Sequence, residues 1–425
     1  MVNETYDASR SIAENGADSA AAWMRLLFSV VLGTIGGVGM WSVVVALPQI
    51  QSEFGLARGE ATLPYTMTML GFAAGNFFMG RLSDRFGILA PVVIAATCLG
   101  CGYLLASQAA TLWQFILIQG VLIGLLGTSA TFGPLIADIS HWFTRRRGMA
   151  VAICASGSYL AGTVWPPVLQ RSIEAYGWRH TYMAIAALCF FVMIPLAFTL
   201  RRKRPDAKRA AHAPAASTAA PSEADDAPVR MPPGVSPNML QLLLVVAGLA
   251  CCVAMSMPQV HMVAYCADLG YGVARGAEML SLMLGTGVAS RLISGWICDR
   301  IGGVRTLLLG SALQCLTLLF YLPFDGLMSL YVVSALFGLS QGGIVPSYAI
   351  IVRDYFPSGE AATRVGLVMM ATVIGMALGG WLSGIIFDLT GSYQAAFING
   401  ILWNLLNLSI ALWLLKFQTR RLATA

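Results

Sequence analysis

Apolar residues in this 425-residue chain gather into long runs, each near the ~20 residues that a helix needs to cross a hydrocarbon layer. Short polar stretches separate them. The runs are too long for strands and too uniformly apolar for the one-sided stripe of a helix on a soluble domain. A helix also satisfies its own backbone hydrogen bonds, the condition for crossing a region without water. Six spans are expected at 24–50, 62–80, 88–107, 113–139, 149–169 and 181–200, and six more at 238–265, 277–297, 306–322, 328–352, 365–387 and 394–415. The pattern predicts an all-α polytopic membrane protein with twelve transmembrane helices in two pseudo-symmetric six-helix bundles, residues 23–200 and 238–416. Residues 201–237, rich in Ala, Pro and charge, cannot bury a core and are expected to form a disordered cytoplasmic linker. Residues 1–22 and 417–425 are expected to be cytoplasmic tails, the first lacking the basic start and short apolar core of a cleaved signal.

Composition agrees, since 57% of residues are hydrophobic and only 11% charged. The formal net charge of +6 is explained by where the cations lie. With both termini inside, 21 of the 26 basic residues fall in cytoplasmic segments, four outside (Arg58, Arg171, Arg179, Arg275) and one, Arg291, within a span. That is the bias of the positive-inside rule, so the implied partner is a lipid bilayer, expected to be a bacterial inner membrane, and no nucleic acid is called for. The nine cysteines lack metal-ligand spacing and mostly sit inside spans, so no metal or other cofactor is expected. No nucleotide loop or nucleophile–base set stands out, which argues against an enzyme.

The two halves repeat. Gly80-Arg81-Leu82-Ser83-Asp84-Arg85-Phe86-Gly87 follows span 2, and Gly295-Trp296-Ile297-Cys298-Asp299-Arg300-Ile301-Gly302 follows span 8, at an offset of 215 (299 − 84). Tyr176-Gly177-Trp178 before span 6 is echoed by Thr390-Gly391-Ser392 before span 12. Two copies of a six-helix unit place a substrate site between the halves, near the midplane.

Arg291 is the candidate at that depth. Eight residues before Asp299, it lies roughly 12 Å further into the membrane than the loop acid. A charge at a helix centre costs roughly 2.5 to 3.5 kcal/mol on insertion scales, so it is expected to face a cavity or a partner. Every Asp and Glu falls in a tail, a loop or a helix end, with Asp138 the nearest exception. A buried guanidinium without a resident anion is a site for one, and its planar fork suits a carboxylate. The equivalent position in the first half (291 − 215) is Asn76, so the charge belongs to one half only. Other candidate lining residues are Trp41 in the glycine-rich start of span 1, Gln119 and Phe132 in span 4, Tyr159 in span 5, Tyr265 in span 7 and Gln341 in span 10. His261 is the only histidine inside a span and the candidate to titrate near neutrality.

The paired G-x-L/I-x-D-R-x-G loops resemble the loop signature of the major facilitator superfamily. The resemblance covers nearly the whole chain and implies a gating role for Asp84, Arg85, Asp299 and Arg300 at cytoplasmic helix ends. Between spans 4 and 5, Trp142-Phe143-Thr144-Arg145-Arg146-Arg147-Gly148-Met149-Ala150, continuing to Ser156-Gly157, is similar to the basic cluster of the monocarboxylate transporters, which adds Arg145, Arg146 and Arg147 to the gating set. Arg291 has the spacing of the substrate-binding arginine of those transporters and of the related oxalate/formate antiporters. By that resemblance it binds the substrate carboxylate. Oxalate-type antiporters add a Lys in span 11; Thr372 stands near that place here, which favours a monoanion such as lactate, pyruvate or a similar short or aromatic carboxylate over a dianion. Animal monocarboxylate transporters also have an acidic motif before span 1, a Lys in span 1 and an Asp four residues before the span-8 Arg; the first two are missing and the last position is Gly287. The expectation is a secondary carrier of a small organic monocarboxylate, working as a monomer by alternating access with proton symport. The alternatives are an oxalate/formate-like exchanger and a drug exporter on the same fold.

Overall fold

The computed structural model describes residues 18–143, 146–201 and 235–424. The expected tail as far as residue 17, residues 202–234 of the expected linker, and Arg145 lie outside the described residues. Among those described there is no strand. In the first half, α1 (Ala20–Gly36) and α2 (Val38–Phe54) form one rod interrupted at Gly37, followed by α3 (Arg58–Phe86) and α4 (Leu89–Ser107). The next rod is irregular: α5 (Leu112–Leu117), a π-helical stretch (Ile118–Gly127), a 3-10 turn (Thr128–Thr131) and α6 (Gly133–Ser140). Then come α7 (Arg147–Ala155), α8 (Gly157–Leu188), a π turn (Cys189–Met193) and α9 (Ile194–Phe198). The second half comprises α10 (Pro237–Asp268), α11 (Val273–Ile301), α12 (Gly303–Phe320), α13 (Leu327–Gln341), α14 (Ile344–Tyr355), α15 (Ser358–Thr390) and α16 (Tyr393–Thr424).

The internal repeat extends to the backbone. Gly87 and Gly302, the last residues of the two loop motifs, end α3 and α11 with φ of 78° and 83°, a region open to glycine at little cost. Gly177 and Gly391 also have positive φ, 78° and 67°. Gly177 breaks α8 into two rods at the loop expected between spans 5 and 6.

Ten segments are long and apolar enough to cross a membrane, against the twelve spans expected. The difference arises at two places. One segment, Gly148–Arg201, is 54 residues long and contains the break at Gly177. Helix α3 is not among the ten, because Thr62, Thr66, Thr68 and Asn76 dilute its apolar content.

Two hydrophobic cores form: one joins first-half residues such as Leu99, Tyr103, Phe115 and Tyr182 and continues across to Val260, Leu280 and Leu284, the other joins Leu318, Phe337, Tyr348 and Phe397 of the second half. Apolar side chains also face outwards, among them Leu292, Ile293 and Trp296 on α11, while Met279, Leu280, Met283 and Leu284 of the same helix point inwards. An exposed stripe of that kind is what lipid, rather than water, would cover. Two seams join the halves, α3 packed on α15 and α8 packed on α11.

Candidate functional site

Between the seams lies a cavity of about 800 Å³. Trp41, Asn76, Phe132, Tyr159, Arg291 and Thr372 all line it. Arg291 is the one charged side chain among the described residues that do so. Its guanidinium carbon sits 4.4 Å from the centre of the Tyr159 ring, and Nη1 donates to the Ala155 carbonyl at 3.2 Å. Among the described residues the buried Nε has no partner, and no hydrogen bond is made from Nη2. The ring and the carbonyl thus hold the fork in place while leaving donors for an anion.

Asn76 is engaged in structure as well as lining the cavity. Its Oδ1 accepts from Gly133 N–H at 3.2 Å, where the irregular fourth rod restarts as α6, and its Nδ2 donates to Phe72 O at 2.8 Å. In the second half Ser290, beside Arg291, performs the equivalent task, its Oγ accepting from Gly342 N–H at the break between α13 and α14. The cap for a broken helix is thus Asn76 in the first half and Ser290, one residue off the repeat, in the second, where Arg291 is the added charge. Thr372 is buried and donates to Met369 O at 2.7 Å. Phe132 packs on Phe72 with centroids 5.8 Å apart.

Four other expected lining residues are placed elsewhere. Gln119 is fully buried against Thr68, whose hydroxyl lies 3.3 Å from its Oε1. Gln341 is likewise buried, its Oε1 accepting from Gln259 Nε2 at 2.6 Å, and it is Gln259 that reaches the cavity. Tyr265 packs on Tyr393 and Phe397. His261 is buried between Gly380 O, 2.8 Å from Nε2, and the Tyr393 hydroxyl, 3.1 Å from Nδ1. A carbonyl only accepts, so Nε2 carries the proton.

Of the expected gating residues, Asp84, Arg85, Asp299 and Arg300 are exposed, and among the described residues no ion pair joins them. Arg85 lies over Phe86 and Arg300 over Trp296. Arg146 is exposed, its N–H 3.4 Å from Asp18 Oδ1, and Arg147 opens α7. The cavity extends towards this end: Phe77, four residues before Arg81, and Thr363 and Gly366, in the first turns of α15, line it.

At the opposite end the halves are joined by a cluster that the sequence did not reveal. Asp388, near the end of α15, accepts from the backbone N–H groups of Arg58 and Gly59, both at 2.7 Å. An acid of the second half therefore caps the first turn of α3 in the first half. The Arg58 side chain, only 8% exposed, donates from Nη2 to both oxygens of Asp268, at the end of α10, at 3.1 Å. Its guanidinium carbon also lies 4.8 Å from the Phe387 ring centre. The faint signal was two acids at helix C-termini, where the helix dipole disfavours them unless a cation or a donor set is near. A second missed pair is internal to the first half and corrects the count of cations, because Arg25, assigned above to a cytoplasmic segment, is buried within α1 and lies inside the expected span 24–50. Arg25 and Asp138, 5% and 1% exposed, are joined at 2.6 Å and 3.1 Å.

The fold and the cavity between bundles have counterparts among known proteins. Over residues 29–329 and 277–424 the chain matches the Major Facilitator Superfamily. The chain belongs to that superfamily. Membership makes it an integral membrane transport protein and not an enzyme. Among this superfamily protein's relatives is monocarboxylate transporter 13 of Bos taurus, 28% identical over 398 residues, 90% of this chain and 86% of the relative. Human monocarboxylate transporter 11 is 24% identical, covering 84% and 75%. The MFS-type transporter pynF of Aspergillus niger is 25% identical, covering 73% and 68%. The crystal structure of the nucleoside transporter NupG superposes with a TM-score of 0.69 at 13% identity, covering 92% of this chain and 99% of that one, a likeness of fold. These relatives are animal and fungal, so the expectation of a bacterial inner membrane draws no support from them.

Proposed function

We propose that this transporter carries small organic monocarboxylates by alternating access, with Arg291 binding the carboxylate. The observation that carries the reading is the guanidinium in the cavity wall, steadied by Tyr159 and Ala155, with Nη2 making no hydrogen bond and no acid lining the cavity among the described residues. An anion supplies the missing partner and neutralises a charge that is costly at that depth. The monocarboxylate transporters among the relatives support the same class of substrate. Among the described lining residues a dianion would meet one cation and a cationic drug no acid, so neither alternative is favoured by the lining.

In this reading the Asp84 and Asp299 loops and both termini are cytoplasmic, in keeping with the bias of Lys and Arg, so the end at Arg58 and Asp388 faces outwards and the conformation is inward-facing. Closure of the cytoplasmic end would follow substrate binding, with the exposed loop charges and the Arg145–Arg147 cluster forming new contacts as the halves rock. Proton symport accompanies the anion in this reading, and one chain suffices.

The test is uptake of labelled monocarboxylates and dicarboxylates into proteoliposomes, with and without an inward proton gradient. Truncating one member of a buried charged contact costs about 2–5 kcal/mol, so Arg291→Ala is expected to lower uptake at least about 30-fold. Arg291→Lys is expected to fail too, since a point charge does not replace a planar fork. Stimulation of wild-type uptake by the gradient marks symport; indifference to it marks exchange. Normal transport by both variants would make Arg291 a structural residue and end the carboxylate reading.

A further inference from the structure

The cavity wall is chemically divided. Arg291 and Tyr159 belong to the seam of α11 and α8, and the facing seam, α3 against α15, brings Met69, Phe72, Phe77, Met369, Met370 and Met376 to the same cavity. One side offers a cation; the other offers thioethers and phenyl rings, which are polarisable and pack favourably on aromatic faces. A three-carbon acid held at Arg291 would occupy a small part of about 800 Å³ and leave the sulfur and phenyl wall touching nothing. Cavities of about 300–1,000 Å³ with apolar walls and a few placed polar groups are the usual enclosure for drug-sized ligands.

We propose that the transported class is aryl monocarboxylates: one carboxylate on Arg291, and an aromatic body reaching across to the methionine and phenylalanine wall. This rests on the carboxylate-carrier reading above and narrows it. Charge narrows it further. Among the described residues Arg291 is the single charged group lining the cavity, so an α-ammonium finds no carboxylate among them, and the aryl acid is one without an amine. The divided wall also sets orientation, because only the acid end gains from Arg291 and only the ring gains from the opposite seam.

The test is counterflow in proteoliposomes loaded with unlabelled acid, with protein-free vesicles subtracted for passive entry, using lactate, pyruvate, phenylpyruvate and phenylalanine as labelled probes. Phenylpyruvate is expected to half-saturate about 10- to 100-fold below lactate and pyruvate, the factor that burying one aromatic side chain supplies. Phenylalanine is expected not to be carried, and Arg291→Ala to abolish phenylpyruvate counterflow. Met370→Asn, at a position 40% exposed where a polar side chain can be hydrated, is expected to raise the phenylpyruvate half-saturation several-fold. If lactate and pyruvate saturate at or below the phenylpyruvate concentration, with uptake still dependent on Arg291, the aryl class falls and the carboxylate carrier stands. If the folded wild-type protein carries none of the acids, the carboxylate reading falls and this inference with it.

Discussion

The contact between Asp388 and the first turn of α3 is the strongest candidate for the device that keeps one end of the cavity shut. Asp388→Ala removes both acceptors that bind Arg58 N–H and Gly59 N–H at 2.7 Å, and it is a change in the second half whose effect falls on a helix of the first. Two charge-assisted hydrogen bonds could contribute about 3–6 kcal/mol at 1.5–3 each. Asp388 is itself exposed, however, and water will replace much of what the carboxylate gives. The appropriate scale is that of a helix N-cap, about 1–2 kcal/mol, which favours opening of this end by about 5- to 30-fold. Arg58→Ala acts on a different set of contacts, the pair with the partly exposed Asp268 and the stack on Phe387, and leaves both backbone bonds to Asp388 in place. Its effect is expected to be similar in size.

A reporter for the opening lies just behind the latch. Ala264 of α10 is 1% exposed and packs with Leu47 and Ala61 of the first half. A thiol introduced by Ala264→Cys is therefore covered by the opposite bundle until the seam parts. Its rate of modification by a membrane-impermeant maleimide follows the open population when opening and closing are fast. The labelling of chains without the substitution is subtracted, since Cys266 is close by in sequence, though it is buried against Met262 and Met279 within its own half. Asp388→Ala is expected to raise the rate about 5- to 30-fold. A rate unchanged within about twofold in both Asp388→Ala and Arg58→Ala would show that the closed end is held by apolar packing and not by this cluster.

Other expectations concern stability. Asp138→Ala removes the carboxylate, 1% exposed, that accepts from Arg25 at 2.6 Å and 3.1 Å and is expected to cost about 2–5 kcal/mol, seen as a lower apparent Tm in detergent; Arg25→Met with Asp138→Leu should recover much of the loss. An unchanged Tm for Asp138→Ala would mean that the pair is dispensable. Gly338→Ala puts a methyl group 2.0 Å from the Met283 carbonyl oxygen and 2.1 Å from Thr286 Oγ1, forcing α13 away from α11 at a cost of about 1–3 kcal/mol, whereas Gly295→Ala, in the repeated loop motif, meets nothing within 4 Å and should keep the wild-type Tm. Equal Tm losses in the two would refute the packing account.

What the sequence revealed and what it hid divide along a physical line. A bilayer forces every span to be apolar, so any departure within a span is visible without knowledge of neighbours. Arg291 was legible for that reason, and it does line the cavity beside Tyr159. The halves were legible because the loop motifs and their terminal glycines recur, and Gly87 and Gly302 need the same backbone conformation. Polarity alone proved a weaker guide. An amide within a span must find a partner, but its identity says nothing about which. Gln119 found Thr68 and Gln341 found Gln259, while Asn76 both lines the cavity and caps the restart at Gly133. The latch was hidden for a related reason. Arg58, Asp268 and Asp388 each sit at a helix end, where a charge is ordinary. Their contacts join residues 210 and 330 positions apart, a relation that only packing of α3 against α15 and α10 creates. Charges that are anomalous alone can be found in one dimension; charges that matter as pairs become visible only when the bundles are assembled. A carrier that works by separating its halves should keep its switching contacts in the second group, because those are the ones that relative motion of the bundles can break.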